Sequence, residues 1–272
     1  LTASNITHGH RFLSPGEMNI THAEHYEQLL ADAKVMADFA KRREAIAQGI
    51  AKVAAEAKLT LREDDGLLNE VTGLVEHPVP LLCEFDAKFL DLPPEVLISE
   101  MKNHQRYFAL YGADGKLTNR FITVANMENA DGGARVKDGN GRVVRARLAD
   151  GEFYWEQDRK VKLEDWGQKL SDVVFHARVG MMDAKVARIR SLAQTIHANI
   201  DTRFNPPNLE TTLETAALCK ADLTSGMVGE FPELQGIMGC YYATAQQLPK
   251  ILAEAIRDHY KPQGASDTLP ES

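Results

Sequence analysis

The 272-residue sequence has little cysteine, no long apolar run and none of the glycine-rich loops that cradle nucleotides. Its three cysteines, Cys83, Cys219 and Cys240, are odd in number and far apart. That excludes a disulfide framework or a zinc site as the first reading and points to reduced core thiols in a cytosolic protein. No stretch approaches the roughly 18 consecutive apolar residues that span a bilayer, so no membrane partner is expected. Walker, dinucleotide-binding, HExxH and GxSxG patterns are all missing, and no cofactor cradle is visible. The chain opens Leu-Thr-Ala-Ser without an initiator Met or a signal region. It closes on "KPQGASDTLPES", a loop-like tail, and both ends read as those of a piece of a longer protein.

What is present describes a folded, soluble chain with ample core: 44% hydrophobic and 26% charged residues. The length suits two ordinary domains or one large one. A net charge of −8 argues against indiscriminate coating of nucleic acid, yet leaves room for a basic patch on one face.

Along the chain, "Thr21-His22-Ala23-Glu24" reads as a capping box opening a helix to about Ala31. "KVMADF" (34–39) fits a short strand or a continuation of that helix. The Ala-, Glu- and Lys-rich segment 40–59 predicts a helix with Ile46, Ile50 and Val53 on one face. A third helix is expected over 65–75, then a buried strand over 78–85 entered through Pro78. "LPPEVLISEMKNH" (92–104) starts a helix with proline in its first turn. "QRYFALY" and "NRFITVANM" flank "GADGKL", a hairpin signal. Segment 128–141 reads as loop, and from about Val143 the pattern is helical almost to the end, broken near 205–208 and 229–233. The fold class expected is therefore an α+β first domain over 1–160, with a mixed sheet and helices, followed by an all-α domain over 161–272. The charged segment 156–170 forms the junction.

Two segments have the chemistry of nucleic-acid contact. "MKNHQRYF" (101–108) sets Lys102, His104 and Arg106 beside Tyr107 and Phe108, cations interleaved with rings that suit phosphate and base stacking. A hairpin strand with alternating faces accounts for the aromatics equally well. Further on, Arg142, Arg145 and Arg147 follow a Gly-rich stretch at what reads as a helix start, where arginine forks and free amides favour phosphate. Asp138 and Asp150 dilute that field, so internal ion pairing is the plain alternative. "HGHRF" (8–12) spaces two histidines as a metal pair would, but with no acidic or cysteine partner nearby a structural role weighs more.

The helices expected over 172–200 and 209–228 have the order of an HD-type phosphohydrolase bundle, whose His-Asp dipeptide holds a water-activating metal. Here the dipeptide reads Ala221-Asp222. Without the histidine, and with His176 and His197 poorly placed to replace it, Asp222 is a metal ligand only if such a site exists. Pairing with Lys220, Lys185 or a helix end is the alternative. In "EFPELQG" (230–236) Pro232 can open a helix, and Gly236 and Gly239 permit close packing.

"GHRF", "MKNHQRYF", "FITVANME", "GNGRVVRARLADGEFYWEQDRK", "WGQKL", "ARVGMMDAKVARI" and "KADLTSGMVGEFPELQGIMGCYYA" together resemble the β subunit of the bacterial two-subunit glycyl-tRNA synthetase, collinearly over nearly the whole chain. The resemblance implies an internal portion of that subunit, cytoplasmic, within a heterotetramer. ATP, Mg, glycine and the aminoacylation site would belong to the α subunit, with no cofactor and no catalytic residue in this portion. It further implies a first domain similar to the editing-type module of the phenylalanyl-tRNA synthetase β subunit and an HD-like helical second domain, both serving RNA. The partners expected are the α subunit and tRNA-Gly, with Lys102, Arg106, Arg142, Arg145 and Arg147 as the RNA-contacting residues. A metal-dependent phosphohydrolase and a purely architectural spacer are the competing readings.

Overall fold

Residues 4–201, 207–265 and 267–270 are described by the computed structural model, and the chain falls into two units, Leu1–Ala149 and Asp150–Ser272. The boundary between them lies within the helix Ala134–Asp158.

The first unit begins with a small antiparallel hairpin, β1 (Ile6–His8) and β2 (Glu17–Asn19). A tight turn over Ala23–His25 then enters α1 (Tyr26–Asp32). The expected capping box does not form: His22 precedes the turn without a side-chain cap. Residues 34–38 are neither strand nor helix, because Asp38 caps α2 (Phe39–Glu56) by accepting the Lys41 amide at 2.9 Å. There follow β3 (Thr60–Leu61), α3 (Asp65–Leu74), β4 (Val79–Glu84), α4 (Pro94–Ser99), β5 (Phe108–Tyr111), β6 (Leu117–Ala125) and α5 (Ala134–Asp158). The sheet is antiparallel, in the order β3-β5-β6-β4. β4 is thus an edge strand, which is why it tolerates Pro80 as its second residue. One sheet face meets α2 and α3 in a core of Ile46, Ile50, Leu67, Leu68, Val71, Phe108, Leu110 and Ile122.

The largest departure from the sequence reading is α5, which starts at Ala134 inside the segment expected to be loop. Gly139, Asn140 and Gly141 are poor helix formers, but tertiary packing overrides their propensity. A Cβ at Gly141 would lie 3.0 Å from the Glu84 carbonyl oxygen, a tight contact that glycine avoids where this turn approaches β4. Asn140 is pinned from both sides, accepting from the Tyr107 hydroxyl and donating to the Val136 carbonyl at 2.7 Å. Asp131 caps the start, accepting the amides of Gly133 and Arg135 at 3.0 and 3.2 Å.

The second unit holds the end of α5, then α6 (Leu163–Gln168), a short hairpin β7 (Val174–His176) and β8 (Gly180–Met181), and α7 (Met182–Asn199). The hairpin corrects the all-α expectation and the single helix over 172–200. Val173, Val174 and Phe175 favour extended backbone, and Gly180 takes a φ of +103 that permits the reversal. α8 (Leu209–Leu218), α9 (Gly226–Glu230), α10 (Ile237–Ala245) and α11 (Lys250–Asp258) complete it. The break expected at 205–208 lies partly outside the described residues; its described end, Asn208, caps α8 through the Thr211 amide at 2.8 Å. Pro232 opens a single turn as expected.

At the centre, Tyr242 is fully buried against Trp166, ring centroids 4.8 Å apart. Its hydroxyl donates to Asp158 at 2.8 Å, and Asp158 also accepts the amides of Gly226 and Met227 at 3.0 and 2.9 Å. A Cβ on Gly226 would meet the Tyr154 ring at 2.7 Å. No helix among the described residues is long and apolar enough to cross a membrane.

Candidate nucleic-acid interface

The two basic segments meet different fates. In the first, the turn Glu100–His104 that continues α4 presents Lys102 to Asp64, Nζ to Oδ2 2.5 Å. The other Asp64 oxygen caps α3 through the Leu67 amide at 2.9 Å. Burial works to raise the Asp64 carboxyl, but Lys102 and the cap amide outweigh it and hold it below the usual range. Arg106, in left-handed backbone at φ 60, turns its guanidinium to Glu70, Nε to Oε1 2.6 Å, and to the Asn103 carbonyl. Tyr107 and Phe108 are core residues, 5% and 3% exposed. Tyr107 stacks on Phe121 with centroids 4.7 Å apart, and burial pushes its phenol up to about 12. The cations of this segment are spent inside the protein and its rings are covered.

The second segment is helical, so Arg142, Arg145 and Arg147 sit mid-helix, away from the free amides expected beside them. Arg142 pairs with Asp138 at 3.1 Å, both side chains largely exposed. Arg147 lies about 200° around the helix from Arg145 and faces elsewhere. Lys137, Gly141 and Arg145 recur every four residues and share one face. With Leu82 to Glu84 of β4 and Arg120 of β6, that face encloses a cleft of about 430 Å³. Glu84 and Arg120 are cross-strand partners. Among the described residues, Arg120, Lys137 and Arg145 have no carboxylate partner, although Glu84 and Asp138 also line the cleft. Three cations thus outnumber two carboxylates around one concavity, and Gly141 leaves open the space between Lys137 and Arg145.

Of the three cations lining this cleft, sequence reasoning named Arg145 but neither Arg120 nor Lys137. Arg120 lies on a hairpin strand remote in sequence, and Lys137 lies in the segment read as loop. The spacing Lys137-Gly141-Arg145 was the available signal, hidden by its glycines.

In the second unit Asp222 is fully buried. Its Oδ2 accepts the amides of Gly236 and Gly239, at 2.5 and 3.0 Å, at the start of α10. The helix-end alternative is the one seen. Gly236 has a φ of +81, and a Cβ on Gly239 would sit 2.6 Å from Ile256 and 3.1 Å from the Asp222 oxygen. Burial lifts the Asp222 carboxyl to about 6, against the pull of both amides and of Lys220. Lys220, itself buried, rests its ammonium 3.6 Å from the centroid of Tyr260. Burial holds that ammonium below its ordinary value. His176 is exposed on β7, and His197 lies on α7. No group of three or more His, Cys, Asp or Glu able to hold a metal occurs among the described residues. His10 is 1% exposed, its Nε2 2.8 Å from the Asn126 carbonyl and its Nδ1 accepting the amides of Phe12 and Leu13. Both ring nitrogens of the HGHRF motif's second histidine are therefore structural.

Comparison with known proteins gives the family directly. A family model described as glycyl-tRNA synthetase beta subunit matches residues 1–272. The chain is 49% identical to the glycine–tRNA ligase beta subunit of Rhodospirillum centenum, over 98% of this chain and 37% of that protein. It is 46% identical to that of Phenylobacterium zucineum, over 100% and 41%, and 48% identical to that of Paracidovorax citrulli, over 99% and 38%. The chain belongs to the glycyl-tRNA synthetase β-subunit family, and it spans about two-fifths of the length of these curated relatives.

Proposed function

We propose that this chain is the tRNA-contacting, non-catalytic portion of a glycine–tRNA ligase β subunit, working with an α subunit that carries out the ATP-dependent attachment of glycine to tRNA-Gly. Family membership supports the ligase role. The observation that supports RNA contact here is the cleft where Arg120, Lys137 and Arg145 outnumber Glu84 and Asp138, with none of the three cations in an ion pair among the described residues. Each cation contacting a phosphate releases counterions, so the contact is read in the salt dependence of binding.

The test is titration of tRNA-Gly against the full-length two-subunit enzyme at several salt concentrations, comparing wild type with Arg145→Glu and Arg120→Glu. Each reversal is expected to weaken binding about tenfold at low salt and to reduce the log–log salt slope by about one. Unchanged affinity and slope, with aminoacylation intact, would overturn RNA contact at this cleft and favour an architectural module. The phosphohydrolase reading gains no support from Asp222, because one of its oxygens is committed to two backbone amides.

A further inference from the structure

A second concavity in the first unit, of about 590 Å³, has Arg11, Phe12, Tyr26, Arg42, Leu74 and Glu76 among its walls. Its apolar rim is unusually bare: Phe12 is 68% exposed, Leu74 63% and Tyr26 42%. Phe12 is held out by design of the loop beneath it. The buried His10 ring takes the amides of Phe12 and Leu13 on one nitrogen, at 3.2 and 3.1 Å, and faces the Asn126 carbonyl with the other. With both nitrogens engaged, the loop 10–13 is fixed and its phenyl ring presents a face to solvent.

Cations accompany these rings. The Arg11 guanidinium lies 5.6 Å from the Phe12 centroid, and that of Arg42 lies 5.7 Å from the centroid of Phe39, itself 47% exposed. Arg42 is locked, with Nε donating to the Thr72 carbonyl at 2.9 Å and Nη1 to that of Met36. Neither guanidinium has a carboxylate partner among the described residues, and Glu76 is the one carboxylate on the wall. A purely apolar occupant would strip water from Arg11 and from the remaining amino group of Arg42 without replacing it, which is costly. An occupant with a flat π-face and an anionic group satisfies both features at once.

We propose that this concavity takes an unpaired RNA nucleotide, its base stacked on Phe12 and its phosphate facing Arg11 and Arg42. The proposal rests on the RNA-contact reading above and adds a site for a base that is not in a helix, as single-stranded loops and ends supply. Phe12 contributes stacking, which tolerates any base, and the arginines contribute charge.

The experiment uses the full-length two-subunit enzyme with Phe12→Leu and Phe12→Trp, measuring tRNA-Gly affinity at fixed salt. Base–aromatic stacking is worth roughly 5- to 150-fold in affinity. Phe12→Leu is therefore expected to weaken binding at least fivefold, while Phe12→Trp stays within about twofold of wild type. A set of tRNA-Gly molecules, each lacking one unpaired base, adds the second readout. For one of them the wild type should lose affinity and the leucine variant should lose no more. Wild-type affinity in Phe12→Leu, or a loss equal for every abasic RNA, overturns the site. Loss of subunit assembly by sedimentation, with RNA affinity unchanged, assigns the surface to protein docking and also overturns it. Arg145→Glu measured in parallel separates the two proposals: if it weakens binding while Phe12→Leu does not, RNA contact stands and the stacking site falls.

Discussion

Two stretches of the first unit look alike as sequence, 101–108 and 137–145, each a run of cations near aromatic or small residues, yet they end in opposite electrostatic states. Lys102 and Arg106 reach carboxylates within 2.6 Å, while Lys137 and Arg145 reach none and are joined by Arg120 from a neighbouring strand. The difference comes from what lies opposite. Segment 101–108 leads into a central strand and faces α3, which carries Asp64 at its cap and Glu70 on its body. Helix α5 passes an edge strand, where β4 offers one unpaired carboxylate, Glu84, against three cations. The charge of a face is thus decided by tertiary partners, and counting lysines and arginines along the chain does not find it.

The sharpest way to break this comparison is to neutralise each set separately. Arg120, Lys137 and Arg145 all changed to Gln should cost the full-length enzyme on the order of 100-fold in tRNA-Gly affinity at low salt and lower the salt slope by about two to three. Changing Lys102 and Arg106 to Gln should leave both nearly unaltered. Equal effects from the two sets, read by titration across salt concentrations, would erase the distinction.

The second unit extends the comparison to a charge that is buried without a cation in contact. Asp222→Ala orphans the amides of Gly236 and Gly239 and should cost about 2–3 kcal/mol by denaturant unfolding. Asp222→Asn keeps an acceptor for them and should cost far less. Alanine and asparagine behaving alike would show that the start of α10 does not depend on this acceptor.

The same pair has a pH signature. The folded carboxyl titrates near 6 and the unfolded one near 3.8, so between those values the native state holds the extra proton. Stability from this group is then greatest below about 4 and declines as pH rises to about 6, by up to roughly 1.4 kcal/mol per pH unit. Around it, burial raises the Tyr242 and Tyr260 hydroxyls and the Cys219 thiol and lowers the Lys220 ammonium, and all four are common to wild type and Asp222→Asn. The difference between wild type and Asp222→Asn should shrink or invert from pH 4 to pH 6, in the sense that the asparagine variant gains relative stability. A difference flat across that window would mean the carboxyl is not lifted.

How much of this could be read from sequence follows from how local each signal is. The helix over 65–75, the strand over 78–85 and the hairpin around "GADGKL" rest on periodicity and turn chemistry within ten residues, and all three appear with nearly those bounds. The start of α5 was hidden, because Gly141 answers to the close approach of β4, a contact across more than fifty residues, while Gly139 and Asn140 beside it lower the local helix propensity. The β7–β8 hairpin was hidden by helical segments on both sides of it. The role of Asp222 was half legible: a missing histidine argued against a metal, but the amides that take its place belong to Gly236 and Gly239, beyond the next turn. Arg145 could be named, whereas the company it keeps could not.

The smallest expected effect tests the paired side of the comparison. The ion pair between Arg106 and Glu70 is over a third exposed at both ends, so its coupling should be only about 0.2–1 kcal/mol in a double-mutant cycle of Arg106→Gln with Glu70→Gln. Its backbone adds a second handle, since a φ of 60 is a conformation glycine adopts freely and arginine does not. Arg106→Gly removes the pair yet relieves that strain, and its net stability change should lie above that of Arg106→Gln by a few tenths of a kcal/mol or more. Neither variant should move the salt slope of RNA binding, because the guanidinium it removes was already committed to Glu70 and to the Asn103 carbonyl. A slope lowered by about one in either variant would show that Arg106 leaves Glu70 for a phosphate when RNA binds, and the two basic segments would then be one surface.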